Sequence, residues 1–233
     1  METLWQLWRR WWQTAAVPAP SEVLVVGAAA LALVVLAWRP VRMLATLVHE
    51  AGHAVLGALT GRTLQGIRVH ADTSGVTLSR GRPRGPGMVL TLLAGYPAPS
   101  LAGLAAAVLI GHGRSVLVIW LFALGAAVML VRMRNLVGAL VALAVGVGLA
   151  LLAWYTPTRW LPWFATGLAW LLLLAGARTV LEACAHPGGP GSDEAQLAGL
   201  THFPRWWWLG GWLLVAAGAV WLAASWLLVI PAG

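Results

Sequence analysis

Two histidines four residues apart, with a glutamate beside the first, carry the sharpest chemical signal in this sequence: His49-Glu50-Ala51-Gly52-His53. On an α-helix, positions i and i+4 lie on one face, one turn apart. Both imidazoles can therefore reach one Zn²⁺, and Glu50 stands where a carboxylate can take a proton from water bound to the ion. A catalytic zinc usually has three protein ligands and keeps a fourth position for water, so a third ligand must come from elsewhere. Leu56 and Leu59 occupy the positions where the extended soluble motif needs Gly and His, and no Glu occurs between Glu50 and Glu182. The acids left to choose from are Asp72, Glu182, Asp193 and Glu194.

The elements that must position this site are apolar. Of the 233 residues, 60% are hydrophobic and 9% charged, against about 25% charged in an ordinary soluble domain. That composition excludes a soluble globular enzyme, a disordered chain and a disulfide-stapled domain, and points to an all-α polytopic membrane protein. The 15 basic residues are all Arg, and the formal net charge is +8. These arginines lie between apolar runs, where they meet lipid headgroups, so nucleic acid is not the expected partner. The single cysteine, Cys184, excludes an internal disulfide and a cysteine metal cage.

Seven runs approach the ~20 residues that cross a bilayer: about 22–38, 41–60, 87–110, 115–131, 136–154, 161–177 and 209–230. Tryptophans such as Trp154, Trp160, Trp163 and Trp206 to Trp208 gather at run ends, as interfacial anchors do. Residues 1–20, with Trp5, Trp8, Trp11 and Trp12 around Arg9 and Arg10, read as an interfacial amphipathic segment. Residues 21–233 then form one integral membrane domain. Segment 62–84 alternates apolar and polar residues around Asp72-Thr73-Ser74-Gly75, the pattern of a β-hairpin. Segment 178–205 continues a helix, breaks at Pro187-Gly188-Gly189-Pro190-Gly191 and restarts near Ser192-Asp193.

Strict alternation of the seven runs puts Arg9, Arg10, Arg62, Arg68, Arg80, Arg82, Arg84, Arg132, Arg134, Arg178 and Arg205 on one side. Arg39, Arg42, Arg114 and Arg159 fall on the other, 11 against 4. The positive-inside rule then expects a cytoplasmic N-terminus, a cytoplasmic hairpin after the second span, and a C-terminus on the opposite face. On that topology His53 lies in the cytoplasmic half of its span, and Asp193 can fold back toward the histidines from a backbone break. Glu182 competes with it. Asp72 reads as a turn residue, and Asp193 itself has a simpler reading as a helix cap.

At this point the chain resembles the site-2 protease family of intramembrane zinc metalloproteases, and more closely a compact bacterial branch of peptidase-like integral membrane proteins. The resemblance covers about residues 40–205. It rests on His49 to His53, on the hairpin from Gly61-Arg62 to Ser74-Gly75-Val76, on Ala94-Gly95-Tyr96, on Arg134-Asn135 and on Ser192-Asp193 to Leu197. It implies that Asp193 is the third ligand, from a later helix. Two departures accompany it: Gly95 to Ser100 lacks the family's Asn, and Asp193 is followed by Glu194, not Gly.

The expected function is hydrolysis of a peptide bond in a membrane protein or peptide substrate. Zn²⁺ would sit on His49, His53 and Asp193, with Glu50 as general base and Tyr96, Ser100 or Asn135 as substrate or oxyanion contacts. The expected location is a bacterial inner (plasma) membrane. Two rivals are an inactive relative with a structural or scaffold role and a metal or proton transporter. The concentration of ionisable groups at one span and one break favours an enzyme site over a relay.

Overall fold

A computed structural model of the chain describes Trp5, Arg9 and residues 11–229. Trp8, Arg10 and the last four residues, and with them part of the interfacial-segment reading, lie outside the described residues. The architecture is helical with one small sheet. Helix α1 (Pro20–Leu36) leads into α2 (Trp38–Leu59); a two-stranded sheet, β1 (Thr63–Val69) and β2 (Gly75–Arg80), follows. Then come α3 (Pro86–Leu93), α4 (Pro97–Gly111), α5 (Ser115–Arg132), α6 (Leu136–Tyr155), α7 (Leu161–Ala185), the short α8 (Asp193–Thr201) and α9 (Arg205–Val229).

Four of these segments are individually long and apolar enough to cross a membrane: Ser115–Arg132, Leu136–Tyr155, Thr158–Ala185 and Arg205–Val229. Two bent pairs bring the count to as many as six. Pro20–Leu36 with Trp38–Leu59 turns through 102°, and Pro86–Leu93 with Pro97–Gly111 turns through 64°. The sequence reading of about seven counts the first pair as two separate spans. Proline explains both bends. Pro40 and Pro97 lie in the first turns of α2 and α4, and neither can donate to or tolerate the carbonyl of a continuing helix behind it. At the start of α1, Glu22 accepts the Ala19 N–H at 2.9 Å and closes that helix's first turn.

The bend corrects the alternation of sides. Arg42 lies 3.7 Å from Glu182 at the end of α7, and Arg39 donates to Ala71 O at the hairpin tip, 3.0 Å. Arg178 donates to Val34 O, and its guanidinium lies 4.1 Å over the Trp38 ring. So Arg39 and Arg42 share an end of the bundle with the hairpin and segment 178–205. At the other end, Arg114 donates to Trp12 O at 3.0 Å, Ala15 N–H to Gly113 O at 2.9 Å, and Thr158 meets Gln13 at 3.3 Å. His112 stacks on Trp226 there, so α9 also finishes at that end. The Arg-rich end therefore holds the hairpin and 178–205, while the chain around Gln13 lies opposite. The expectation that the N-terminal segment shares the hairpin's end is therefore not met, and α9 finishes at the same end as the chain around Gln13; the first two apolar runs meet at a 102° corner and form one bent pair.

The hairpin pairs antiparallel, with Ile67 opposite Thr77 and Val69 opposite Gly75. Its β1 edge is tied to the α5–α6 connection: Arg134 N–H donates to Ile67 O at 2.8 Å. The Asn135 carboxamide takes Val69 N–H at 3.2 Å and gives to Val69 O at 2.7 Å. Because the Ile67 and Val69 backbone groups point outward from β1, those of Gly75 and Thr77 point outward from β2. Among the described residues no backbone group pairs with that β2 edge.

Topology gives the first test. Cysteines at Gln13 and Val229, in a Cys184→Ser background, should react with a membrane-impermeant maleimide from one face, and native Cys184 from the other. Labelling of Gln13→Cys and Cys184 from the same face would restore the seven-span alternation.

Candidate metal centre

The site is assembled from three elements at the Arg-rich end. Helix α2 is the amphipathic one: Glu50, His53, Ala54 and Gly57 are buried on its inner face. His53 is fixed first. Its Nδ1 donates to Thr91 O in α3 at 2.7 Å. In the neutral ring that leaves the Nε2 lone pair free, and this is the usual way a second partner sets a ligand histidine's tautomer. Nε2 of His53 lies 3.0 Å from Nε2 of His49. Asp193 Oδ2, from the first residue of α8, lies 3.1 Å from His53 Nε2 and 3.2 Å from His49 Nε2.

Three acceptor atoms thus converge in a nearly equilateral triangle. The ligand–ligand edges of a tetrahedral zinc with bonds of about 2.0–2.1 Å are about 3.3 Å. The donor set, two imidazoles and one carboxylate, is of the kind such an ion takes, so His49, His53 and Asp193 could hold a metal ion. Burial works against ionisation of Asp193, but hydrogen bonding and charge from His49 and His53 outweigh it and hold the carboxyl below its usual range. Asp193 is not a helix cap here. The cap position is Ser192, and no side-chain cap bond is made.

Glu50 is buried at 2% exposure and faces the hairpin. The Thr77 hydroxyl lies 2.5 Å from Glu50 Oε2 and 3.2 Å from Glu50 O. Gly75 packs directly on the same carboxylate, so close that a Cβ there would collide with it. The motif and the β2 edge share one cavity of about 790 Å³, lined among others by Thr77, Ser79, Tyr96 and Gln196.

Gly95 does most to let the histidines meet. A Cβ at that position would stand 2.5 Å from His53 Nε2 and 2.6 Å from His49 Nε2. The α3–α4 break therefore brings bare backbone against the site. Tyr96, next to it, lies edge-on to His49 with ring centroids 5.0 Å apart and stacks on Trp212 at 4.5 Å.

Other sequence candidates lie elsewhere. Ser100 is fully buried where α4 crosses Gly176 of α7 and does not line the cavity. Asn135 is spent on the β1 edge. Neither of these two lines the cavity that holds the motif. Glu182 pairs with Arg42 and with Arg178, the latter at 3.4 Å. Asp72 closes its own turn: the Ser74 hydroxyl and N–H, at 2.7 and 3.0 Å, hold its carboxyl below the ordinary range. Thr77 and Thr91 were not legible as site residues, and Gly95 entered through the resemblance alone, without its contact to the histidines. A hydroxyl in an apolar run and a Gly before Tyr-Pro are weak local signals.

The model of the family described as Peptidase M50B-like matches residues 23–223, most of the chain. No curated protein and no solved structure gives a significant match.

Gly95→Ala should cost the protein its metal while leaving its helix content intact, because the added methyl would displace both imidazoles. Metal analysis beside circular dichroism checks this; wild-type metal content in the variant would show that Gly95 does not set the site.

Proposed function

We propose a function that starts from family membership: the chain belongs to the peptidase M50B-like family, the site-2 protease family. It acts as a membrane-embedded zinc metalloprotease that hydrolyses a peptide bond of a membrane protein or peptide substrate. The observation that carries this reading is the convergence of His49, His53 and Asp193 within 3.2 Å of one another beside the buried Glu50.

His49, His53 and Asp193 would hold the zinc. The ion supplies a Lewis acid that acidifies water and polarises the scissile carbonyl. Glu50 takes one proton from the attacking water as its oxygen bonds to the carbonyl carbon, then delivers that proton to the departing amine nitrogen as the C–N bond breaks. The Thr77 hydroxyl holds one carboxylate oxygen of Glu50 and leaves the other for this transfer. Tyr96 walls the site beside His49.

A helical segment cannot offer its carbonyl to attack while that group is hydrogen-bonded. The unpaired edge of β2 supports binding of the substrate as an added strand, in the cavity that contains Glu50. By the positive-inside rule the Arg-rich end faces the cytoplasm. The site then opens on the cytoplasmic side of the bilayer, in the plasma membrane of a bacterium. The ionisable groups gather at this end rather than along a path through the bundle, which supports a catalytic site over a transport relay.

Glu50→Gln should keep zinc near the wild-type level and lower cleavage of a fluorescent casein probe by ~10²-fold or more. Asp193→Ala should lose most of the zinc, and Glu182→Ala should retain it. A Glu50→Gln protein that cleaves like wild type would exclude Glu50 as the base. A wild type that binds zinc but never cleaves would favour the scaffold reading.

A further inference from the structure

The acid next to Asp193 takes no part in the proposed chemistry, yet it is the more deeply buried of the two. Glu194 has no exposed surface. Its Oε1 accepts the Gly188 N–H at 2.9 Å and the Ser192 hydroxyl at 2.5 Å. Both donors belong to the Pro- and Gly-rich connection between α7 and α8. The other side of that connection is held as well: Arg205 donates to Gly188 O at 3.0 Å. A Cβ at Gly188 would stand 2.5 Å from Ser192 Cβ and 3.2 Å from Glu194 Oε1, so the loop closes on Glu194 without room for a side chain.

This arrangement divides two tasks between neighbouring acids. A first-turn side chain at a helix start ordinarily bonds the free amides of that turn. Asp193 cannot do so, because its carboxylate is turned to the imidazoles. Successive residues on a helix diverge by about 100°, so Glu194 points into the protein while Asp193 faces the histidines. Further along, α8 is anchored by Leu197, wholly buried among Leu92, Val180 and Trp212. Between that anchor and α7, three glycines leave the backbone free to rotate unless something ties it. Among the described residues, two side chains run from α8 back to this connection: Gln196 donates to Gly191 O at 2.8 Å, and Glu194 is the one that reaches Gly188 and Ser192 next to Asp193.

We propose that Glu194 is the positioning residue of the third metal ligand: by binding Gly188 N–H and Ser192 Oγ it fixes the rotation of the first turn of α8 and so presets Asp193 against His49 and His53. The proposal rests on the metal-site reading above. The needed property is an acceptor oxygen, not a charge.

The test uses the full-length protein, purified, stripped of metal and titrated with Zn²⁺ alone. Glu194→Ala should weaken zinc binding by roughly 10- to 100-fold, the usual cost of losing a group that orients a ligand, with thermal unfolding close to wild type. Glu194→Gln keeps the acceptor and should stay near wild type. Hydrogen exchange at the Gly188 amide should be slow in wild type and Glu194→Gln and fast in Glu194→Ala. If Glu194→Ala does not accumulate, Ser192→Ala removes one donor and should give a smaller loss in the same direction. Wild-type zinc affinity in Glu194→Ala, or in Ser192→Ala when it stands in, overturns the positioning role alone. Equal losses in Ala and Gln variants overturn it too, because charge would then be what matters. A wild type that binds no zinc overturns the metal reading, and the positioning role with it.

Discussion

Imidazoles and carboxylates placed inside an apolar bundle must each find a partner, because an unpaired polar group there costs several kcal/mol. Most of the architecture at the Arg-rich end follows from that requirement. His53 spends one nitrogen on the Thr91 carbonyl. Glu50 is covered by Thr77. His49 and Asp193 then meet each other and His53 Nε2. Three acceptors drawn to one point are stable when a cation joins them, and a metal-dependent peptidase family is the setting in which such a point is useful.

The backbone has to be broken to build this cluster. A straight helix through residues 20–59 would carry the motif away from α8. Pro40 prevents that helix, and Arg178 makes the resulting corner tolerable. Its guanidinium supplies donors to the orphan carbonyl of Val34, where the negative end of the α1 dipole also favours a cation. Its face lies on Trp38, and its charge meets Glu182. A second break, at Gly95 to Pro97, delivers the bare backbone against which both histidines rest.

The hairpin serves the site in a different way. One edge is consumed by Arg134 and Asn135, which hold it to the α5–α6 connection. The other is left open over Glu50. A rigid edge beside the proposed base suits a substrate that must be extended before it is cut. Glu194 ties the connection that leads into α8, its carboxylate taking the Gly188 N–H and the Ser192 hydroxyl.

Much of this protein follows from the chain read residue by residue. The i, i+4 histidines, the alternating hairpin, the Pro-Gly break before Asp193 and the apolar composition are local patterns, and local geometry is enough to interpret them. The few acids narrowed the third ligand to Asp193 with Glu182 as its competitor, and the family resemblance pointed to Asp193. Which side each segment occupies was not legible. Counting spans treats every apolar run as a crossing of its own, whereas the 102° corner before α2 makes the first two runs one bent pair. For the same reason the arginine tally stayed lopsided while Arg39 and Arg42 changed sides. Ser100 and Asn135 looked like site residues by position along the chain, but packing against Gly176 and pairing with Val69 claimed them. Thr77 and Thr91, and the parts that Gly95 and Glu194 play, became visible only in three dimensions, because each matters through a contact with a residue distant in sequence or through a loop closure that no periodicity encodes.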